Sequence, residues 1–234
     1  MGIGYPAPFF LPITRELNPV TTVRFEKENG RRPVENYTPI VTIYADASCL
    51  RNGAADSSAG GGAVIIDRNR MEVKLVAKYL GTITNQQAEI LACVTALEEL
   101  RRSCRVEILS DSRYVIDTMN GRNRMKTNRA VWNQLIEQSY GHHITWRWMK
   151  GHDGETFQEA ADRLARAAST ARTDLLSADL DFLAEHLSKE SNQLTIRSFE
   201  IELDKILSRY DQVELTVPAT RLDGAGGYPS AFLG

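Results

Sequence analysis

From Pro39 onward the apolar residues fall at regular spacings, and the chain divides into readable elements. Val41-Thr42-Ile43-Tyr44-Ala45 is rich in β-formers and ends on Asp46, and the Gly/Ala/Ser-rich stretch that follows, as far as Gly62, is predicted as a loop. Residues 63–66 and 73–79 are predicted as two further strands, joined around Asp67-Arg68-Asn69-Arg70. Connections that short favour an antiparallel meander. Thr84 with Gln87 three residues on has the form of a capping box, and Ile90, Cys93, Val94, Leu97 and Leu100 then recur at helical spacing. Residues 105–110 read as a strand ending on Asp111, and 114–119 as a short helix stopping near Gly121. A helix over 130–140, a strand over 144–149 and a helix over 156–171 complete the order β-β-β-α-β-α-α-β-α. The expected fold class is α/β: a five-stranded mixed sheet, an antiparallel meander plus two parallel strands, flanked by helices.

Two extensions flank this region. Residues 1–38 mix prolines, charges and short apolar patches without a sustained period. Residues 173–234 form an acidic C-terminal extension with two amphipathic helices predicted over 176–187 and 196–210 and a glycine-rich end expected to fray. Simple packing of these helices on the domain is the first expectation; their apolar faces would also suit a protein partner or self-association.

With 42% hydrophobic and 25% charged residues the chain belongs among ordinary globular proteins, which excludes collagenous, wholly disordered and coiled-coil classes. Its net charge of −2 advertises no nucleic-acid binder, but the sum conceals a gradient: +1 over residues 1–37, +3 over 38–172 and −6 over 173–234. Three cysteines without CxxC spacing support neither a disulfide framework nor a zinc site. No apolar run approaches the roughly 18 residues of a membrane span. The first residues lack a positive n-region, and Pro6 stands where a myristoylation signal needs Ser or Thr. A reduced, cytoplasmic protein without membrane association is expected.

The chemistry lies in the acids. Asp46 and Asp111 each follow an apolar strand, and in an open α/β sheet ligands bind beyond the carboxyl ends of strands where the connection direction reverses. Glu89 in the first turn of the capped helix and Asp162 on the last domain helix add two more carboxylates. Converging acids repel unless a cation intervenes, and hard oxygen ligands suit Mg²⁺. Two such ions about 4 Å apart would serve an in-line phosphoryl displacement. Taken singly, each residue has a plainer explanation. A lone Asp after a strand is usually a turn residue. Glu89 suits the helix macrodipole. Asp162 beside Arg163 and Arg166 reads as a surface charge, and a loop histidine such as His152 is more often inert than catalytic.

Their order is far more specific. Tyr44-Ala45-Asp46-Ala47-Ser48-Cys49-Leu50, Thr84-Asn85-Gln86-Gln87-Ala88-Glu89, Ser110-Asp111-Ser112-Arg113-Tyr114-Val115, Trp146 to His152, and Ala161-Asp162-Arg163-Leu164-Ala165 together resemble the type 1 ribonuclease H family over residues 39–172. The resemblance implies a ribonuclease H-like fold and a Mg²⁺-dependent endoribonuclease. Such an enzyme hydrolyses the RNA strand of an RNA–DNA hybrid by two-metal-ion catalysis, with Mn²⁺ as a substitute, and leaves 3′-hydroxyl and 5′-phosphate ends. By motif position Asp46, Glu89, Asp111 and Asp162 match the catalytic, metal-binding carboxylates, the glutamate also bonding the ribose 2′-hydroxyl beside the cut. His152 matches a loop histidine that assists proton traffic and product release. Asn52, Asn85 and Gln86 match polar positions that touch the minor groove, and Cys49 a position whose backbone approaches the RNA.

The chain departs from the family pattern in places. Ala47 stands where Gly is usual and Ala45 where Thr is common, and Arg51 to Gly62 is expected to be a longer, flexible loop. The basic helical protrusion of many members shrinks to residues 121–129, where Arg122, Arg124, Lys126 and Arg129 meet no acid. That segment reads either as a solvated loop or as a reduced phosphate-tracking patch. Arg113 replaces a polar amide and adds charge near the cut. Of Trp132, Trp146 and Trp148, at least two are expected in the core. A silent hybrid-binding or scaffold module of the same fold is the alternative, and loss of any one acid would favour it. None of the four is lost.

Overall fold

The structure, a computed structural model, describes residues 38–151, 155–189 and 193–214. The N-terminal extension up to residue 37, the glycine-rich end and His152 lie outside the described residues.

Five strands form one sheet: β1 (Ile40–Leu50), β2 (Ser58–Asp67), β3 (Glu72–Gly81), β4 (Arg105–Ser110) and β5 (His143–Trp148). Their order is β3-β2-β1-β4-β5, with β1–β2 and β2–β3 antiparallel and β1–β4 and β4–β5 parallel. This is the expected mixed sheet. The helices are α1 (Asn85–Glu98), α2 (Arg113–Met119), α3 (Arg129–Ser139), α4 (Thr156–Ala171), α5 (Ser177–Lys189) and α6 (Gln193–Glu214). The Thr84 capping box is present, with the hydroxyl accepting from Gln87 N–H and the Gln87 side chain accepting from Thr84 N–H.

Period-two alternation along the strands splits the core into two layers. On one face Ile43, Ala45, Val106 and Ile108 pack under Ile90, Val94 and Leu97 of α1, with Trp132 and Leu135 of α3. On the other, Tyr44, Val64 and Leu75 meet Ala161, Leu164 and Ala168 of α4. The C-terminal helices join this second layer: Leu183 and Leu187 of α5 and Phe199, Leu203 and Ile206 of α6 are all buried there. The described helices of the tail thus pack on the domain. Trp132 is buried and Trp146 packs against the first layer, so two of the three tryptophans are core residues; Trp148 is 39% exposed.

Two expectations about the first motif need correction. The predicted loop from Arg51 to Gly62 is shorter, because Ser58 to Gly62 already belong to β2. The glycines do not make a flexible loop; they admit a helix. A Cβ on Gly62 would lie 2.1 Å from the Ala161 carbonyl oxygen and one on Gly60 2.3 Å from that of Ala165, so α4 rests on bare strand backbone. Gly61 points to the opposite face, where its Cβ would stand 3.2 Å from Ala92 Cα. We expect Gly62→Ala to destabilise the fold by about 3 kcal/mol, at the upper end of overpacking costs, and Gly61→Ala by clearly less. Urea unfolding of the two variants measures the difference, and equal midpoints would contradict this contact.

The second correction concerns Asp46, which lies inside β1 and not at its end. Pairing with β4 stops at Tyr44↔Leu109, whereas pairing with β2 continues to Leu50↔Ser58. Beyond Tyr44, β1 therefore runs on beside β2 alone. The same register extended by two residues sets Asp46 opposite Asp111, immediately past the last parallel pair.

Candidate active site

The notch where β1 parts from β4 gathers three of the predicted acids. Asp46 comes from β1, Asp111 from the residue after β4, and Glu89 from the first turns of α1. One carboxylate oxygen of each lies within 4.8 Å of the others, and all three side chains are half-buried. Gly151 closes one side: a Cβ there would meet Asp111 Oδ2 at 2.3 Å.

Asp46 is held through both oxygens. Oδ1 accepts from the Ala47 N–H at 2.7 Å and Oδ2 from Gln158 Nε2 at 3.0 Å. Glu89 Oε1 accepts from Asn85 Nδ2 at 3.2 Å, while Glu89 Oε2 is buried with no donor among the described residues. Burial raises the Asp46 carboxyl from the ordinary range to about 8, and the Asp111 charge adds to the effect despite the Ala47 hydrogen bond. Burial and then Asp111 raise Glu89 to about 7, against the lowering influence of the Ser112 hydroxyl and the Asn85 amide. An all-oxygen donor set, mutually repelling acids and an orphaned carboxylate oxygen fit a hard divalent cation.

The fourth predicted acid is not in that tight group. Asp162, on α4, accepts from Arg166 Nε at 2.9 Å, an i,i+4 pair along the helix. Its charge still reaches Asp46, where it adds a smaller upward push on the carboxyl. His152 belongs to the segment outside the described residues.

Around the acids the other predicted residues fall into two groups. On the α1 side, Asn52 Oδ1 accepts from the Asn85 N–H at 3.1 Å and from Cys49 Sγ at 3.7 Å; the Cys49 thiol also approaches the Ile83 carbonyl at 3.4 Å. Asn85 thereby ties this polar group to Glu89, and Gln86 is exposed beside it. On the β5 side, the Arg113 guanidinium lies 3.8 Å from the ring centre of Trp148, whose Nε1 donates to the Asp111 carbonyl at 2.9 Å. Farther out, Arg122 pairs with Asp117 at 3.0 Å, and Arg124 and Lys126 are exposed.

Sequence reasoning missed Gln158 and the flanking position of Trp148. Gln158 carried one usable signal: it stands four residues before Asp162, one turn away on the same helix face.

Comparison with known proteins agrees with this geometry. The sequence profile of the RNase H family matches residues 38–170. The ribonuclease H of Phenylobacterium zucineum (strain HLK1) is 36% identical over 142 residues, covering 55% of this chain and 90% of its own. Among solved structures, the N-terminal RNase H domain of rv2228c from Mycobacterium tuberculosis is 26% identical with a TM-score of 0.50, over 57% of this chain and 96% of the other. LC11-RNase H1, solved in complex with an RNA/DNA hybrid, is 22% identical with a TM-score of 0.50 over 56% and 98% of the two chains, and shares the fold. With the profile spanning more than half of its length and the acids brought together at the sheet's central notch, this chain belongs to the ribonuclease H family.

Proposed function

We propose that the protein is an endoribonuclease that hydrolyses the RNA strand of RNA–DNA hybrids and leaves 3′-hydroxyl and 5′-phosphate ends. The observation that carries this reading is the trio Asp46, Glu89 and Asp111, with ligand oxygens within 4.8 Å of one another in a family whose named relatives are ribonucleases H. Asp46, Glu89, Asp111 and Asp162 would hold two Mg²⁺ ions, or Mn²⁺ in their place, which supply activation of the attacking water and stabilisation of the leaving oxygen.

The chain's own groups account for the rest. The Ala47 and Gln158 hydrogen bonds fix the Asp46 carboxylate before substrate arrives. The unpartnered Glu89 oxygen is an acceptor for a ribose 2′-hydroxyl, the group that separates RNA from DNA at a site. Asn52, Asn85, Gln86 and the Cys49 backbone would line the minor groove, and His152 would move the proton during product release. Arg113, steadied by Trp148, would meet a phosphate next to the cut, with Arg122, Arg124 and Lys126 tracking the strand beyond it.

Incubation with a labelled RNA–DNA hybrid tests the reading. Cutting of the RNA strand is expected with Mg²⁺ and not with a chelator, and double-stranded RNA, double-stranded DNA and single strands should be poor substrates. Absence of metal-dependent cutting would overturn it. Arg113→Gln and Arg124→Gln are expected to weaken hybrid binding without regard to sequence. Each should flatten the slope of log affinity against log salt by about 1, as loss of one phosphate contact does. Fluorescence anisotropy across a salt series measures this.

A further inference from the structure

Gln158 has no role in the reading given above beyond its bond to Asp46, yet its surroundings ask for more. It sits in the first turn of α4, is only 3% exposed, and spends its one observed hydrogen bond on Asp46 Oδ2 at 3.0 Å. Its carbonyl oxygen, Oε1, is buried with no donor among the described residues. An amide oxygen lies about 2.2 Å from its own nitrogen, so Oε1 stands beside the same carboxylate. Leaving such an acceptor unsatisfied costs about 1–3 kcal/mol. A leucine of nearly the same volume would avoid that cost and keep the helix packed.

Two orphaned acceptors thus border the acid trio: Glu89 Oε2 belongs to it, and Gln158 Oε1 adjoins the Asp46 carboxylate. Acceptors facing other acceptors are relieved by a donor that carries positive charge. A hydrated divalent cation brings both the charge and the O–H groups. Mg²⁺ in particular keeps several waters when protein carboxylates bind it.

Resting on the proposed metal-dependent function, we propose that Gln158 is a positioning residue of the cation site: its N–H holds Asp46 in the binding orientation and its carbonyl oxygen accepts a hydrogen bond from the cation's hydration water. A partner that both orients a ligand and fixes the hydration shell is worth about 10–100-fold in metal affinity.

Calorimetric titration of the substrate-free protein with Mg²⁺ tests this. Gln158→Leu is expected to weaken binding about 10–100-fold. The melting temperature of its metal-free form should stay close to that of the wild type, because the orphaned Oε1 disappears together with the donor to Asp46 Oδ2. In the cleavage assay its rate should fall at low Mg²⁺ and recover as Mg²⁺ is raised, a split that general loosening of α4 would not produce. Wild-type affinity in Gln158→Leu would overturn the proposal. Should that variant fail to fold, Gln158→Asn carries the test. Its amide is one methylene short of Asp46, so an affinity equal to wild type would overturn the proposal and a several-fold loss would support it. A wild-type protein that binds no Mg²⁺ and cuts no hybrid would instead defeat the proposed function itself.

Discussion

Asp111→Asn is expected to lower hydrolysis of an RNA–DNA hybrid by roughly 10³-fold or more while leaving the fold intact. Loss of one ligand carboxylate from a metal-assisted phosphoryl transfer removes several kcal/mol of transition-state stabilisation, and about 4 kcal/mol corresponds to that factor. Asp111 is the most sensitive choice for two reasons. It stands across the notch from Asp46, with a ligand oxygen within 4.8 Å of those of both partners. It is also the largest charge acting on both of its partners, coming directly after burial among the causes that raise Asp46 and Glu89. Single-turnover cleavage under saturating Mg²⁺, with circular dichroism as a check on folding, measures the effect. Full activity in the variant would refute the assignment.

The second large effect concerns pH and the cation together. In the metal-free protein Asp46 holds its proton up to about pH 8 and Glu89 up to about pH 7, whereas in the unfolded chain both ionise near pH 4. Between those limits the folded state binds more protons than the unfolded one. Stability is therefore fully present below about pH 4 and is lost as pH rises through 7 and 8. We expect the metal-free melting temperature to fall by several degrees between pH 5 and pH 8, corresponding to about 2 kcal/mol for a chain of this size. Under the proposed function Mg²⁺ would take the place of the protons, so it should raise the melting temperature far more at pH 8 than at pH 5. Binding at pH 7 should release protons, visible as a dependence of the binding heat on the buffer's ionisation enthalpy. Asp46→Asn should remove most of the metal-free slope. A melting temperature that does not change over this interval would contradict the charge balance described for the cluster.

The strand and helix order could be read from the chain because period-two and helical spacing report which face of each element is buried, and the Thr84 capping box marked where α1 begins. Asp46, Glu89 and Asp111 could be picked out together because their motifs follow one another on elements that the sheet brings to one notch. The misreadings also have physical causes. Gly60, Gly61 and Gly62 carry the composition of a loop, and only the proximity of α4 explains them as strand; that proximity lies about 100 residues away in sequence and leaves no local trace. Asp46 was taken as a strand terminus since apolar alternation stops there. In fact β1 continues because its outer half pairs with one neighbour instead of two. The Asp162–Arg166 ion pair, by contrast, is a matter of side-chain placement that spacing does not encode. Gln158 was overlooked because a neutral amide in a polar helix turn looks like surface until its burial is known.

The helix that carries Gln158 and Asp162 is gripped on both sides. Bare glycine backbone lies beneath it, and Phe199 and Leu203 of the last described helix join the same buried layer, beside an Arg163–Glu200 ion pair at 2.7 Å. Residues that composition divides into a weakly basic body and an acidic appendage therefore share one interior, and the change of charge near residue 172 does not coincide with a break in packing. A substitution that empties this shared layer, at Phe199 for example, is therefore expected to act on the seating of α4 through packing contacts, which salt screens little.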